Sequence, residues 1–159
     1  MATRTIGTTG WLLRGAAAGA AGTTALNAVS YLDMVLRGRG TSSTPEQTVE
    51  KLAETAGMTI PGDEPTRQNR VAGLGPITGI VAGVGVGALV GMVRALGFRT
   101  SPVVGTTLVT AGVLMATNGP MTVLGVTDPR TWSTTDWIGD VVPHLAYSAA
   151  VVTTMDAFG

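Results

Sequence analysis

Four stretches of this chain carry no charged side chain, and their lengths limit what the rest can fold into. Between Arg14 and Asp33 lie 18 uncharged residues, between Arg70 and Arg94 lie 23, between Arg99 and Asp128 lie 28, and between Asp140 and Asp156 lie 15. His144 is the one histidine in the last window. The hydrocarbon core of a bilayer is ~30 Å thick and takes about 20 residues of helix at ~1.5 Å each. The windows therefore predict four membrane spans, at about residues 10–36, 71–93, 101–125 and 137–155. A soluble domain intersperses about 25% charged residues; this chain carries 13%. The fold expected is all-α, a single membrane-embedded four-helix bundle over residues 1–159. Trp11, Tyr31 and Trp137 sit near the expected span ends, as interfacial aromatics do, with Trp132 in the link before the last span.

The spans are small-sided rather than bulky: the first reads GAAAGAAGTTALNAVSYL, the third is rich in Thr, Val and Gly, and the chain has only two Phe. A Gly/Ala-rich buried α/β core is the soluble alternative, and the length of the charge-free windows weighs against it. Arg4 followed by Trp11-Leu12-Leu13 and small residues offers a signal-peptide reading, for which the apolar centre is weak. Gly119-Pro120 inside the third span predicts a proline kink near a helix end.

Gly75, Gly79, Gly83, Gly87 and Gly91 recur every fourth residue through the second span. In lipid, helices associate by close backbone packing, which small residues permit. The stripe runs for about 24 Å and drifts about 40° per step at 3.6 residues per turn, which suits a right-handed crossing. It is a groove for another helix backbone. Three occupants fit: the first span, through Gly15, Gly19 and Gly22 and their alanines; a second copy; or another subunit. Small residues nearly all round the first two spans offer more contact surface than one bundle uses. The expectation is a subunit of a larger assembly, a hetero-complex rather than a homo-oligomer, joined through these faces.

Four spans place the end of the first and the start of the fourth at one membrane level. Asp33 and Arg37 are i, i+4 neighbours there, and so are Asp140 and His144. Ionisable residues at membrane depth are functional candidates. A salt-bridged clasp between the two spans is favoured over a proton relay or ion path, because both pairs lie at span ends. One His and two carboxylates form a thin metal-ligand set, so no metal site is expected.

The hydrophilic link, residues 37–70, holds RGRGTSSTPEQTVEKLAETAG. Thr44 as N-cap, Pro45 at the first helical position and Gln47 closing a capping box predict a helix over 45–56, ended by Gly57. Val49, Leu52, Ala53 and Ala56 give it a narrow apolar stripe for the membrane surface or a neighbouring protein. PGDEPTRQNR reads as a polar loop back to the second span. Arg37, Arg39, Lys51, Arg67, Arg70 and Arg130 on the link side, against Arg4, Arg14, Arg94 and Arg99 on the other, favour a cytoplasmic link.

Other classes find little support. Ten basic and ten acidic residues balance, and the basic ones are scattered, so no nucleic-acid partner is expected. There is no Cys. Gly85, Gly87 and Gly91 approximate a dinucleotide fingerprint, but the next acid, Asp128, lies too far on. Ser148, one turn after His144, has no G-x-S-x-G around it, and with Tyr147 it is expected to pack; no phosphate loop and no H-E-x-x-H occurs. No catalytic residue and no cofactor is expected. Residues 26–54, LNAVSYLDMVLRGRGTSSTPEQTVEKLAE, resemble a segment of small four-span membrane proteins of mycobacteria and related actinobacteria, and 140–148, DVVPHLAYS, resemble their last span. The resemblance implies an accessory inner-membrane subunit of a Mce-type lipid importer. The expectation from a different class is a small self-assembling transporter or channel with Asp33, Asp140 and His144 on its path.

Overall fold

The computed structural model describes residues 6–159; Arg4, used above for the signal-peptide reading and for the charge balance, lies outside them. Every regular element among the described residues is helical: α1 (Thr8–Arg37), α2 (Thr44–Thr55), α3 (Glu64–Ala95), α4 (Pro102–Val123) and α5 (Thr134–Ala157), with a single 3₁₀ turn at Pro129–Thr131 before α5.

Local chemistry sets the ends. α1 stops where Gly38 takes a left-handed φ of 62°, and α2 stops before Gly57 at φ 65°; glycine enters that region without a Cβ penalty. Ser133 and Asp136 close a reciprocal capping box at the start of α5. Two boundaries differ from the sequence reading. α2 begins at Thr44, not after it: the Thr44 N–H donates to Ser42 Oγ at 3.2 Å, and Gln47 Nε2 reaches back to Ser43 Oγ at 2.8 Å. Ser43 is the N-cap and its side chain accepts no backbone N–H, so the capping box expected from Thr44 and Gln47 does not form. The stretch read as a polar loop, 64–70, is the first two turns of α3. Asp63 caps it, accepting from Thr66 N at 3.2 Å, and Pro65 stands in the first turn, where a missing N–H is harmless. Arg67 then ties these turns to α2 through Glu50 at 2.7 Å. α4 continues through Pro120 to Val123, and α3 and α5 likewise pass through Pro76 and Pro143.

α1 is the central helix. It runs antiparallel to α3, Trp11 beside Gly91 and Thr23 beside Gly83, and antiparallel to α5, with Gly22 against Tyr147 and Val151. α4 is outermost and packs on α5, Gly105 beside Val152 and Asn118 beside Asp140. α2 lies on the early turns of α3, its Pro45 and Glu46 against Gly75 and its Val49 buried.

Small and hydroxylated residues line much of the interior. Gly15, Gly19, Gly22, Gly83, Gly87 and Gly91 are buried with Ala18, Thr110, Ser148 and Tyr147, beside the apolar cluster of Trp11, Val113, Val151 and Met155. Leu13, Ile77, Ile80, Val81, Leu89, Leu108, Met115, Ile138 and Leu145 face outward. Among the described residues one helix, α3, is long and apolar enough to cross a membrane, and only 17% of its most apolar window is buried.

Candidate functional site

The first candidate surface is the glycine stripe. A Cβ built on Gly15 would stand 2.8 Å from Gly91 N and Cα; one on Gly19 would stand 2.9 Å from Val84 Cα; one on Gly87 would stand 2.6 Å from Gly19 N. No side chain fits at such separations, so the α1 and α3 backbones touch. Of the three occupants the sequence allows for this groove, the structure seats α1 of the same chain on Gly83, Gly87 and Gly91. The other glycines diverge. Gly22 receives the Tyr147 ring and Val151 of α5, with closest approaches of 2.7 Å to a built Cβ; Gly75 receives Pro45 of α2 at 3.1 Å; Gly79 has nothing within 4 Å. Drift explains the divergence, because a straight neighbour follows a stripe that rotates about 40° per step for only a few steps. The faces expected to receive an outside partner, on the first and second spans, are thus largely spent on each other.

Tyr147 locks the three-helix junction. It is 1% exposed, its ring covers Gly22, and its hydroxyl donates to Gly83 O at 2.6 Å. Three further hydroxyls serve their own helices: Thr23 donates to Gly19 O at 2.9 Å, Thr110 to Thr106 O at 2.8 Å, and Ser148 to His144 O at 2.8 Å. Such back-bonding satisfies these three donors within their own helices.

The second candidate is the polar group at the link end. Asp33 Oδ2 accepts from Arg37 at 2.7 Å and from Arg39 at 2.6 Å. Asp140 and His144 meet on α5, where His144 Nδ1 is 2.7 Å from Asp140 O and 3.4 Å from Asp140 Oδ1. The two pairs share an end of the bundle, and the Arg37 guanidinium comes within 3.6 Å of a Cβ built on Gly139. No ion pair joins them among the described residues: Asp33 is satisfied on its own side, and Asp140 turns the other way to accept from Asn118 Nδ2 of α4 at 2.8 Å. The expected clasp between α1 and α5 is therefore not a cross-helix salt bridge. Sequence reading missed Asn118, whose position two residues before Pro120 drew attention to backbone rather than side chain. Its polarity within an otherwise uncharged window was the available signal. Asn118 Oδ1 is buried without a hydrogen-bond partner. Among the described residues no group of three His, Asp or Glu could hold a metal ion.

The opposite end holds a group the sequence did not flag. Arg94 pairs with Asp156, Arg14 Nη1 donates to Phe158 O at 2.6 Å, and Arg99 Nη2 donates to Gly159 O at 2.6 Å. These contacts tie the ends of α1 and α3 to the last turn of α5.

Comparison with protein-family models, curated proteins and solved structures finds no match for the chain.

Proposed function

We propose that the chain is a four-span integral protein of the bacterial inner membrane, with α1, α3, α4 and α5 all crossing and the 37–70 link on the cytoplasmic side. It acts without catalysis, as an accessory subunit that packs against the transmembrane part of a larger complex. A Mce-type lipid import machine is the assembly that the resemblance of residues 26–54 and 140–148 points to. One observation carries the membrane reading: glycine contacts, self-satisfied hydroxyls and a tyrosine hydrogen bond lie inside, while Leu, Ile and Val face outward along the long helices. A soluble bundle reverses this, whereas helices in lipid pack through small residues. Three prolines inside helices fit the same setting, where they are better tolerated than in water-soluble helices.

With the α1 and α3 faces turned inward, the partner surface falls to α4. That helix rests mainly on α5 and leaves Val103, Leu108, Met115 and Val123 exposed, with open space beside Gly112 and Gly119. α2, held on α3 by Glu50 and Arg67, is placed to modulate the contact from the membrane surface. Extraction in mild detergent, affinity capture and mass spectrometry test this reading. Co-purification of unlike membrane subunits in constant ratio is expected; recovery of the chain alone or only with itself sinks it.

A second reading draws on the Asn118–Asp140–His144 group, a polar constellation between α4 and α5 with an unpartnered acceptor. A small transporter or channel would place its path there. Purified protein in liposomes would then give a pH-dependent flux that His144→Ala abolishes, and no flux is expected if the chain is an accessory subunit.

A further inference from the structure

α2 is seated on α3 by few contacts, and one of its own groups works against the seat. Val49 is its only buried residue, at 7% exposure, and Pro45 Cβ lies 3.1 Å from a Cβ built on Gly75. The bridge from Glu50 to Arg67, at 2.7 Å, joins two side chains that both reach water, where an ion pair holds little. Glu46 Oε2 is buried without a hydrogen-bond partner. An acceptor buried bare costs free energy that water returns once the group is exposed. The packing around α2 is also open. A cavity of about 430 Å³ lies between α2 and the start of α3, lined by Glu50, Ala53, Gly57, Met58, Ile60 and Arg67. A cleft of about 240 Å³ lies between Gln47, Lys51 and Glu54 of α2 and Gly125 and Val126 of the α4–α5 link. Close packing is what fixes a helix in place, and α2 lacks it on both sides. Its two tethers, 38–43 and 56–63, contain no regular element and turn at Gly38 and Gly57.

We infer that α2 is a strap that docks on α3 and lifts away as a unit, covering and uncovering Gly75 at the link end of the glycine stripe. In the docked state Pro45 and Glu46 stand against Gly75, which α1 does not reach, since α1 follows the stripe only from Gly91 to Gly83. Lifting exposes Val49 and returns the Glu46 carboxylate to water. One buried valine set against one bare carboxylate oxygen leaves a narrow margin between the two states. Once lifted, a helix of 12 residues is marginal on its own in water, so release also loosens its backbone. The strap supplies the modulation that the accessory-subunit reading gives to α2, and its role as a regulator rests on that reading. Docking and release themselves involve only α2 and α3.

Maleimide labelling of single-cysteine variants of the full chain tests the strap. Val49→Cys lies under it, Leu52→Cys on its outer side at 47% exposure, and Val113→Cys in the core at 2% exposure. Val49→Cys is expected to label at least about tenfold more slowly than Leu52→Cys and at least about tenfold faster than Val113→Cys, because local opening exposes it without global unfolding. Adding Glu46→Ala removes the bare acceptor and should slow Val49→Cys about fivefold. Adding Arg67→Ala removes the bridge and should quicken it by up to about fivefold. Neither change should move Leu52→Cys. Amide exchange of the unsubstituted chain gives a second measurement, free of any packing lost at Val49→Cys. Residues 46–55 are expected to share one level of protection, below that of residues 83–91. Equal protection in the two segments overturns the proposal, as does Val49→Cys labelling no faster than Val113→Cys or quickening with Glu46→Ala. Failure of the accessory-subunit reading shows elsewhere, as an absence of unlike subunits on capture, and leaves these rates untouched.

Discussion

The residues that decide this bundle are those with the least side chain. Gly15, Gly19, Gly87 and Gly91 let two backbones touch, and a methyl group at any of them meets backbone atoms that cannot rotate away. Gly15→Ala or Gly87→Ala is therefore expected to destabilise by about 1–3 kcal/mol, the usual range for overpacking. Gly79→Ala, into open space, should be neutral or gain up to about 1 kcal/mol of helix propensity. Thermal unfolding in one detergent separates the two outcomes. Tyr147→Phe removes a buried donor from Gly83 O and should cost about 1 kcal/mol, within the range of interhelical hydrogen bonds in membranes. Acidification tests a surface residue. The Thr66 side chain and backbone N–H beside Asp63 hold its carboxyl below its usual 3.8. A depressed carboxyl contributes stability that is complete above the unfolded value and lost as pH falls through the folded one. Between about pH 5 and pH 2, Asp63→Asn should therefore lose less stability than wild type, since Asn still caps the helix but does not titrate. The sequence announced these glycines but not their occupant, because a four-residue spacing says that a backbone approaches and not whose. Asp33–Arg37 and Asp140–His144 were legible for the opposite reason: i, i+4 geometry is local to one helix.

Among elements, helix number and type follow from windows of uncharged residues bounded by caps. The errors fall where the helix leaves the apolar window. Residues 64–70 have no apolar periodicity, so pattern reading assigns a loop; Asp63, Pro65 and the Arg67–Glu50 bridge make them helix. The motif was present, with Asp63 three residues ahead of Thr66, but a polar run without a stripe hides it. Amide hydrogen exchange provides the check. Asp63→Ala should lower protection over residues 64–70 by roughly a factor of five, equivalent to a lost cap of about 1 kcal/mol, and leave residues 83–91 unchanged, where Gly83, Gly87 and Gly91 are buried against α1. Ion pairs between distant elements were beyond reach for a related reason. Arg94 and Asp156 lie 62 residues apart, and only the antiparallel arrangement of α3 with α1 and of α1 with α5 brings them together.

For the whole molecule, charge is confined to the two ends, with Arg37, Arg39, Lys51, Arg67, Arg70 and Arg130 among the acids at the link end. All acids except Asp156 gather where α1 stops, α2 and α3 start, and α4 turns into α5, while Arg14, Arg94 and Arg99 gather at the other end. Two polar ends separated by apolar-sided helices is the arrangement a bilayer requires. Among the described residues α3 alone qualifies as a span by length and apolarity, so four crossings and one crossing are distinct topologies with distinct consequences. The chain has no cysteine of its own, so single cysteines can report sidedness without background. Ser42 lies between α1 and α2, Thr127 between α4 and α5, and Thr100 between α3 and α4. If all four long helices cross, Ser42→Cys and Thr127→Cys react with a membrane-impermeant maleimide from the same side, and Thr100→Cys reacts only from the other. If α3 crosses alone, Thr127→Cys joins Thr100→Cys and parts from Ser42→Cys. Labelling of intact cells against inverted vesicles decides between them. The expected result is that Ser42→Cys and Thr127→Cys label together in inverted vesicles, which also places the link in the cytoplasm; their separation would reduce the bundle to one anchor with a helical domain beside it.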